Sequence, residues 1–100
     1  TVEFLVEISF DTPASLGSSI LEELKKSEAQ RAQQLAASGH LLRLWRPQLP
    51  GWRNIGLWFA EDVTELHSLL DSLPLRDLMS ITVRPLDPHP SDPSMTLDKE

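Results

Sequence analysis

The chain has 100 residues, 40% of them hydrophobic, and a formal charge of −6, which leaves room for one domain with a core of modest size. Its nine Lys and Arg residues are scattered, so neither a nucleic-acid backbone nor an anionic membrane surface is an expected partner. The absence of cysteine removes disulfides, thiolate metal sites and thiol nucleophiles together. No apolar run approaches the roughly 20 residues that span a bilayer. The start of the sequence shows no basic region followed by a hydrophobic block, so the expected compartment is the cytoplasm.

From Val2 to Phe10 apolar Val2, Phe4, Val6, Ile8 and Phe10 alternate with other residues, which predicts a half-buried strand. Asp11 to Ser19, with Pro13 and Gly17, reads as a loop, and Ser18 or Ser19 is placed to cap a helix that runs to about Ser38. Gly39 supplies its stop. His40 to Pro47 and Arg53 to Ala60 read as a second and a third strand, joined as a hairpin through a loop with Pro47, Pro50 and Gly51. A second helix follows Glu61 and Asp62, with Val63, Leu66, Leu69, Leu70 and Leu73 on one face and Pro74 as its end. Ser80 to Leu86 is a fourth strand, in which Ile81 and Val83 alternate with Thr82 and Arg84.

The order β-α-β-β-α-β is that of the ferredoxin-like α+β fold, a four-stranded antiparallel sheet with two helices on one face. The other sheet face then carries apolar groups from among Leu5, Leu41, Trp45, Leu57 and Leu86, so a second subunit packed sheet against sheet is expected, a dimeric α/β-barrel. Residues 1–86 form the expected domain. After Leu86 the run Asp-Pro-His-Pro-Ser-Asp-Pro-Ser and the residues to Glu100 have no periodicity, which predicts an extended arm over 87–100.

One residue breaks the pattern of the first helix. At about 100° per residue, Leu21, Leu24, Ala32 and Leu35 share an arc, and Glu28 lies inside it. A carboxyl group turned inward is either costly or held with a raised pKa to move protons. Lys25, one turn away, is the expected tuning partner, although the same spacing suits a surface ion pair with Glu28 at the edge of the stripe. Arg46 and Asn54 fall near one end of the sheet, where a guanidinium would suit a substrate carboxylate and an amide a developing oxyanion. A hairpin-end arginine and a turn asparagine would fit those positions as well. The tryptophans Trp45, Trp52 and Trp58 suit a core or an oligomer interface, with Trp52 the candidate lid of a pocket. His40, His67 and His89 have no partner at metal-ligand spacing, and no G-x-S-x-G, G-x-G-x-x-G or P-loop occurs.

The run Leu24-Lys25, Glu28, Ala32-Gln33, Leu35 and Gly39, then Leu44-Trp45-Arg46, Asn54, Glu65-Leu66-His67, Leu73-Pro74-Leu75, Met79, Ile81, Val83, Leu86 and His89-Pro90-Ser91 resembles the muconolactone delta-isomerase family over nearly the whole chain. The hairpin loop from Pro47 to Arg53 looks longer than is usual there, and Gly56 stands where serine is frequent. The resemblance implies a cofactor-free isomerase of the catechol branch of the β-ketoadipate pathway, in aromatic catabolism, which converts muconolactone to 3-oxoadipate enol-lactone. It implies Glu28 as proton carrier, Lys25 as its tuning partner or a stabiliser of the enolate oxygen, and Arg46, Asn54 and Trp45 as substrate-binding residues. No metal is implied. The resemblance further implies dimers assembled into rings, typically decamers, with the C-terminal arm reaching a neighbouring subunit. A chloromuconolactone dehalogenase or a cofactor-free monooxygenase on the same scaffold is the alternative within enzymes. A non-enzymatic ligand-binding or stress protein of the dimeric barrel type is the alternative outside them, and an exposed Glu28 would favour it.

Overall fold

A computed structural model describes residues 1–94. Strand β1 (Val2–Phe10) is followed by helix α1 (Ser18–Ala37), strands β2 (Leu41–Trp45) and β3 (Arg53–Ala60), helix α2 (Val63–Asp71), a short 3₁₀ turn at Arg76–Leu78, and strand β4 (Met79–Leu86). All pairings are antiparallel and the strand order is β2-β3-β1-β4, the ferredoxin-like arrangement expected from the alternation. Of the expected arm, residues 95–100 lie outside the described residues.

Side-chain alternation decides which face meets the helices. Phe4, Val6 and Ile8 of β1 point to one side together with Trp58 and Ala60 of β3, and all five are buried. Leu35 of α1, Leu66 and Leu70 of α2, and Leu73 just beyond it close over them as one core. Each such side chain taken from water contributes about 1.5–3 kcal/mol, the main force holding both helices on this face.

Helix boundaries follow local chemistry. Gly17, not Ser18 or Ser19, is the N-cap of α1; its carbonyl accepts from Leu21 N at 3.0 Å, and both serines fall inside the first turn without a capping bond. At the other end Gly39 takes φ +86°, where a side chain would be strained, and His40 N donates back to Leu35 O at 2.9 Å. Helix α2 has the better start. Asp62 Oδ1 accepts from Glu65 N at 2.8 Å, and Glu65 Oε1 accepts in turn from Glu61 N at 3.0 Å.

Strand β2 departs from simple alternation. Its register with β3 shifts between Leu41 and Arg43, so Leu41 faces the core with Leu44 while Arg43 and Trp45 point to the outer face. Of the five apolar residues from which the outer face is expected to draw, Leu41 is the one that the extra residue of the bulge turns to the core. The remaining residues of that expectation, Leu5, Trp45, Leu57 and Leu86, do lie on the outer face, with Ile55 and Phe59 beside them.

Close packing fixes one glycine. A Cβ at Gly56 would lie 2.7 Å from Trp58 Nε1 and 3.4 Å from Leu44 Cδ1. Gly56→Ala is therefore expected to lower stability by about 1–3 kcal/mol in urea denaturation, as overpacking does, and Trp58→Phe in the same chain is expected to restore part of the loss.

Candidate active site

Between α1 and the β2–β3 end of the sheet lies a cleft of about 520 Å³. Helix α1 supplies Lys25, Glu28, Ala29 and Ala32, which are successive positions along one face. Leu44 and Arg46 come from β2 and the residue after it, Trp52 from the hairpin loop, and Asn54 from the start of β3. Phe10 at the end of β1 and Leu75 in the α2–β4 connection complete the wall. Two aromatic rings make its firmest part: Phe10 and Trp52 stack at 4.2 Å between centroids, and Phe10 N donates to Trp52 O at 3.0 Å. Trp52, the candidate lid, is thus tied to the end of β1.

Glu28 is half-buried, as its place inside the apolar arc requires, and the Leu75 amide donates to its Oε1 at 3.0 Å. Burial pushes the carboxyl pKa above the ordinary carboxylate value, and the Leu75 hydrogen bond offsets only part of that rise. The same face of α1 is tied to α2 one turn further on, where Arg31 Nε donates to Ser72 Oγ at 3.0 Å. These two contacts fix the rotation of α1 that keeps Glu28 on the cleft side.

Lys25 shares the cleft but does not form an ion pair with Glu28. Its Nζ lies 3.9 Å from Glu22 Oε1 and 4.9 Å above the Trp52 ring, so the ammonium is drawn toward the mouth. Arg46 is exposed at the same mouth and has no ion pair or hydrogen bond among the described residues, leaving all its donors to a ligand. Asn54 lines the cleft with its Oδ1 shielded from solvent and without a protein partner.

Trp45 borders this group from another side. It lies on the outer sheet face, opposite Ile55, with the Arg43 guanidinium 4.9 Å over its ring; it does not line the main cleft, but it lines an adjoining hollow of about 330 Å³ with Arg46, Trp52 and Asn54. Consecutive strand residues point to opposite faces, so β2, which turns Leu44 inward, turns Trp45 outward. The same rule could have found Leu44 and Phe10, the inward positions at two strand ends. Nothing in the residue types signalled the backbone amide of Leu75.

The histidines remain apart from the cleft. His40 Nδ1 donates to Phe59 O at 2.9 Å, pinning the start of β2 to β3, and His67 is exposed on α2. Among the described residues no cluster of His, Asp and Glu suits a metal ion, and no helix is long and apolar enough to cross a membrane.

The arrangement joins a carboxyl group whose pKa burial raises, two cationic side chains and an aromatic wall, which suits proton transfer on a small anionic substrate. Comparison with known proteins points the same way. The profile of the muconolactone delta-isomerase family matches residues 2–92. Muconolactone delta-isomerase 1 of Acinetobacter lwoffii is 35% identical over 89 residues, covering 88% of this chain and 91% of its own length. The muconolactone delta-isomerase of Cupriavidus pinatubonensis is 33% identical, with 88% and 95% covered. A muconolactone isomerase crystal structure superposes with a TM-score of 0.82 at 31% identity, covering 91% of this chain and 94% of that one. The 5-chloro-2-hydroxyhydroquinone dehydrochlorinase of Burkholderia phenoliruptrix, 15% identical with a TM-score of 0.62 and covering 86% of this chain and 95% of its own, shares the fold alone. Match of the family profile across both helices and all four strands, with relatives at this identity over nearly their full length, places this chain in the muconolactone delta-isomerase family.

Proposed function

We propose that this enzyme isomerises muconolactone to 3-oxoadipate enol-lactone, without a cofactor, by moving one proton within the lactone ring. The observation that carries the reading is Glu28: a carboxyl group pushed above its ordinary pKa by burial, lining a cleft large enough for a small lactone. A base of that kind removes the ring proton acidified by the conjugated lactone, giving a dienolate, and returns it to another ring carbon. The electrons stay in the substrate. Arg46 takes the substrate carboxylate, Asn54 orients the lactone oxygens, and the Lys25 ammonium stabilises the enolate charge as it develops. A local pair of cations is needed because the chain as a whole is anionic and repels the substrate.

The outer sheet face belongs to the same reading. Across its centre run Arg43, Leu57, Leu5 and Arg84, an apolar middle flanked by cations, with Glu3 and Glu7 alongside on β1. A second copy turned about a two-fold axis sets apolar middle on apolar middle and brings the arginines toward the glutamates. Dimers of this kind would assemble further, into the decamer that the resemblance implies, with the segment from Asp87 as the arm to a neighbour. A catabolic intermediate as substrate goes with a cytoplasmic enzyme.

The direct test is an ultraviolet assay of the purified protein with muconolactone. Wild type is expected to turn the lactone over with an acid limb above the ordinary carboxylate range, and Glu28→Gln to lose on the order of several hundred-fold in kcat. No turnover by wild type, or a variant as fast as wild type, refutes the assignment. Stability should move the other way. A carboxyl whose folded pKa is raised gives its full stability below the unfolded value and loses it as pH rises through the folded one, whereas the glutamine has nothing to lose. Urea midpoints taken from about pH 4 to about pH 8 are therefore expected to show Glu28→Gln gaining on wild type as pH rises. Finally, Leu57→Arg puts a charge at the centre of the outer face, and sedimentation should show it monomeric where wild type is at least dimeric.

A further inference from the structure

Behind Glu28, away from the cleft mouth, lies a second and much smaller cavity of about 30 Å³. It shares Glu28 and Asn54 with the main cleft, and its far wall includes Trp58. Most of the remaining lining is apolar, from residues such as Ile8, Leu41 and Leu73. Two polar side-chain atoms in the described part of the protein are shielded from solvent without a protein partner, Asn54 Oδ1 and Trp58 Nε1, and the residues that carry them both line this cavity. Trp58 is only 3% exposed, so its indole N–H cannot reach bulk water. An orphaned donor and an orphaned acceptor at this depth are costly unless something satisfies them.

The cavity has the volume of one water molecule, which needs roughly 10–15 Å³ of accessible space and two to four polar partners. We propose that Trp58 Nε1–H, Asn54 Oδ1 and the Glu28 carboxylate together bind one water molecule there, and that Trp58 is thereby a positioning residue for the proton-carrying carboxylate. Donors and acceptors balance. The indole N–H donates to the water oxygen, and the water donates one proton to Asn54 Oδ1 and the other to the carboxylate. Glu28 Oε1 already accepts from the Leu75 amide, so the water supports the ionised group from a second direction. Gly56 belongs to the device, since the indole nitrogen occupies space that a Cβ at this position would take.

The effect on Glu28 has a definite sign. A water that donates to the carboxylate favours the charged form, and a water that has lost its anchor favours it less. The other groups facing Glu28 are Lys25 on its own helix, Arg46 at the end of β2, Asn54 on β3 and the Leu75 amide in the α2–β4 connection. Replacement of Trp58 leaves all of these in place.

The role assigned to Trp58 rests on Glu28 as the proton carrier, and the experiment separates the two. In wild-type protein labelled with nitrogen-15, the Trp58 indole proton is expected to show a cross-relaxation contact with a long-lived water. In Trp58→Phe, which keeps most of the ring volume and deletes only the donor side of the indole, the acid limb of kcat/KM is expected to move up by roughly half a pH unit, with KM within about twofold. No water at the wild-type indole overturns the proposal whether or not the variant folds. An acid limb that stays where it was in a folded Trp58→Phe overturns the positioning role. If Glu28→Gln is as fast as wild type while the indole still contacts water, the proton-carrier assignment falls and takes the role of Trp58 with it, and the water site stands.

Discussion

A carboxylate on the inward face of a helix constrains everything around it. Glu28 lies where α1 would otherwise bury a leucine, and burial disfavours its charged form more than the single Leu75 hydrogen bond favours it. The fold must hold that position against a local penalty, and it does so with apolar contact. Leu35 further along α1 is buried against Phe4, Val6 and Leu66, so α1 is fixed at its C-terminal half while its earlier turns stand over the cleft. The site is thus a place where stability is given up and a reactive group is obtained, with the cost met by a core a few turns away.

The sheet serves two unrelated needs because its side chains alternate. One face supplies the floor under the helices and the inner wall of the cleft; the other carries Leu5, Ile55, Leu57 and Phe59 toward a partner. Asn54 and Ile55 are neighbours in sequence and belong to different surfaces. Along the middle of the sheet the backbone of β3 stands between the two surfaces, and they approach each other at the hairpin end, where Trp45 and Ile55 border hollows that Asn54 also lines.

Most of the frame was legible in the sequence. Strict alternation in β1 and the acidic start and leucine face of α2 each allow one structure only, and their bounds were found to within a few residues. Glu28 was legible because a charged residue interrupts a stripe whose period is known. What escaped had no period or no side chain. The bulge that turns Leu41 to the core adds one residue to a strand and leaves no mark in composition. Gly17 caps α1 through its carbonyl, so the two serines beside it misled. The Leu75 amide is a backbone group, and only the path of the α2–β4 connection brings it to Glu28. The outward side of Trp45 was legible, since Leu44 beside it on β2 turns toward the cleft.

The contact between Gly56 and Trp58 has a consequence for how such a chain can change. A Cβ at the first position would press on the indole nitrogen of the second. Neither residue is free to drift alone. A side chain at the first position is accommodated more easily when the ring at the second is smaller. Steric contact thus ties the two positions together, so a change at either one alters the cost of a change at the other.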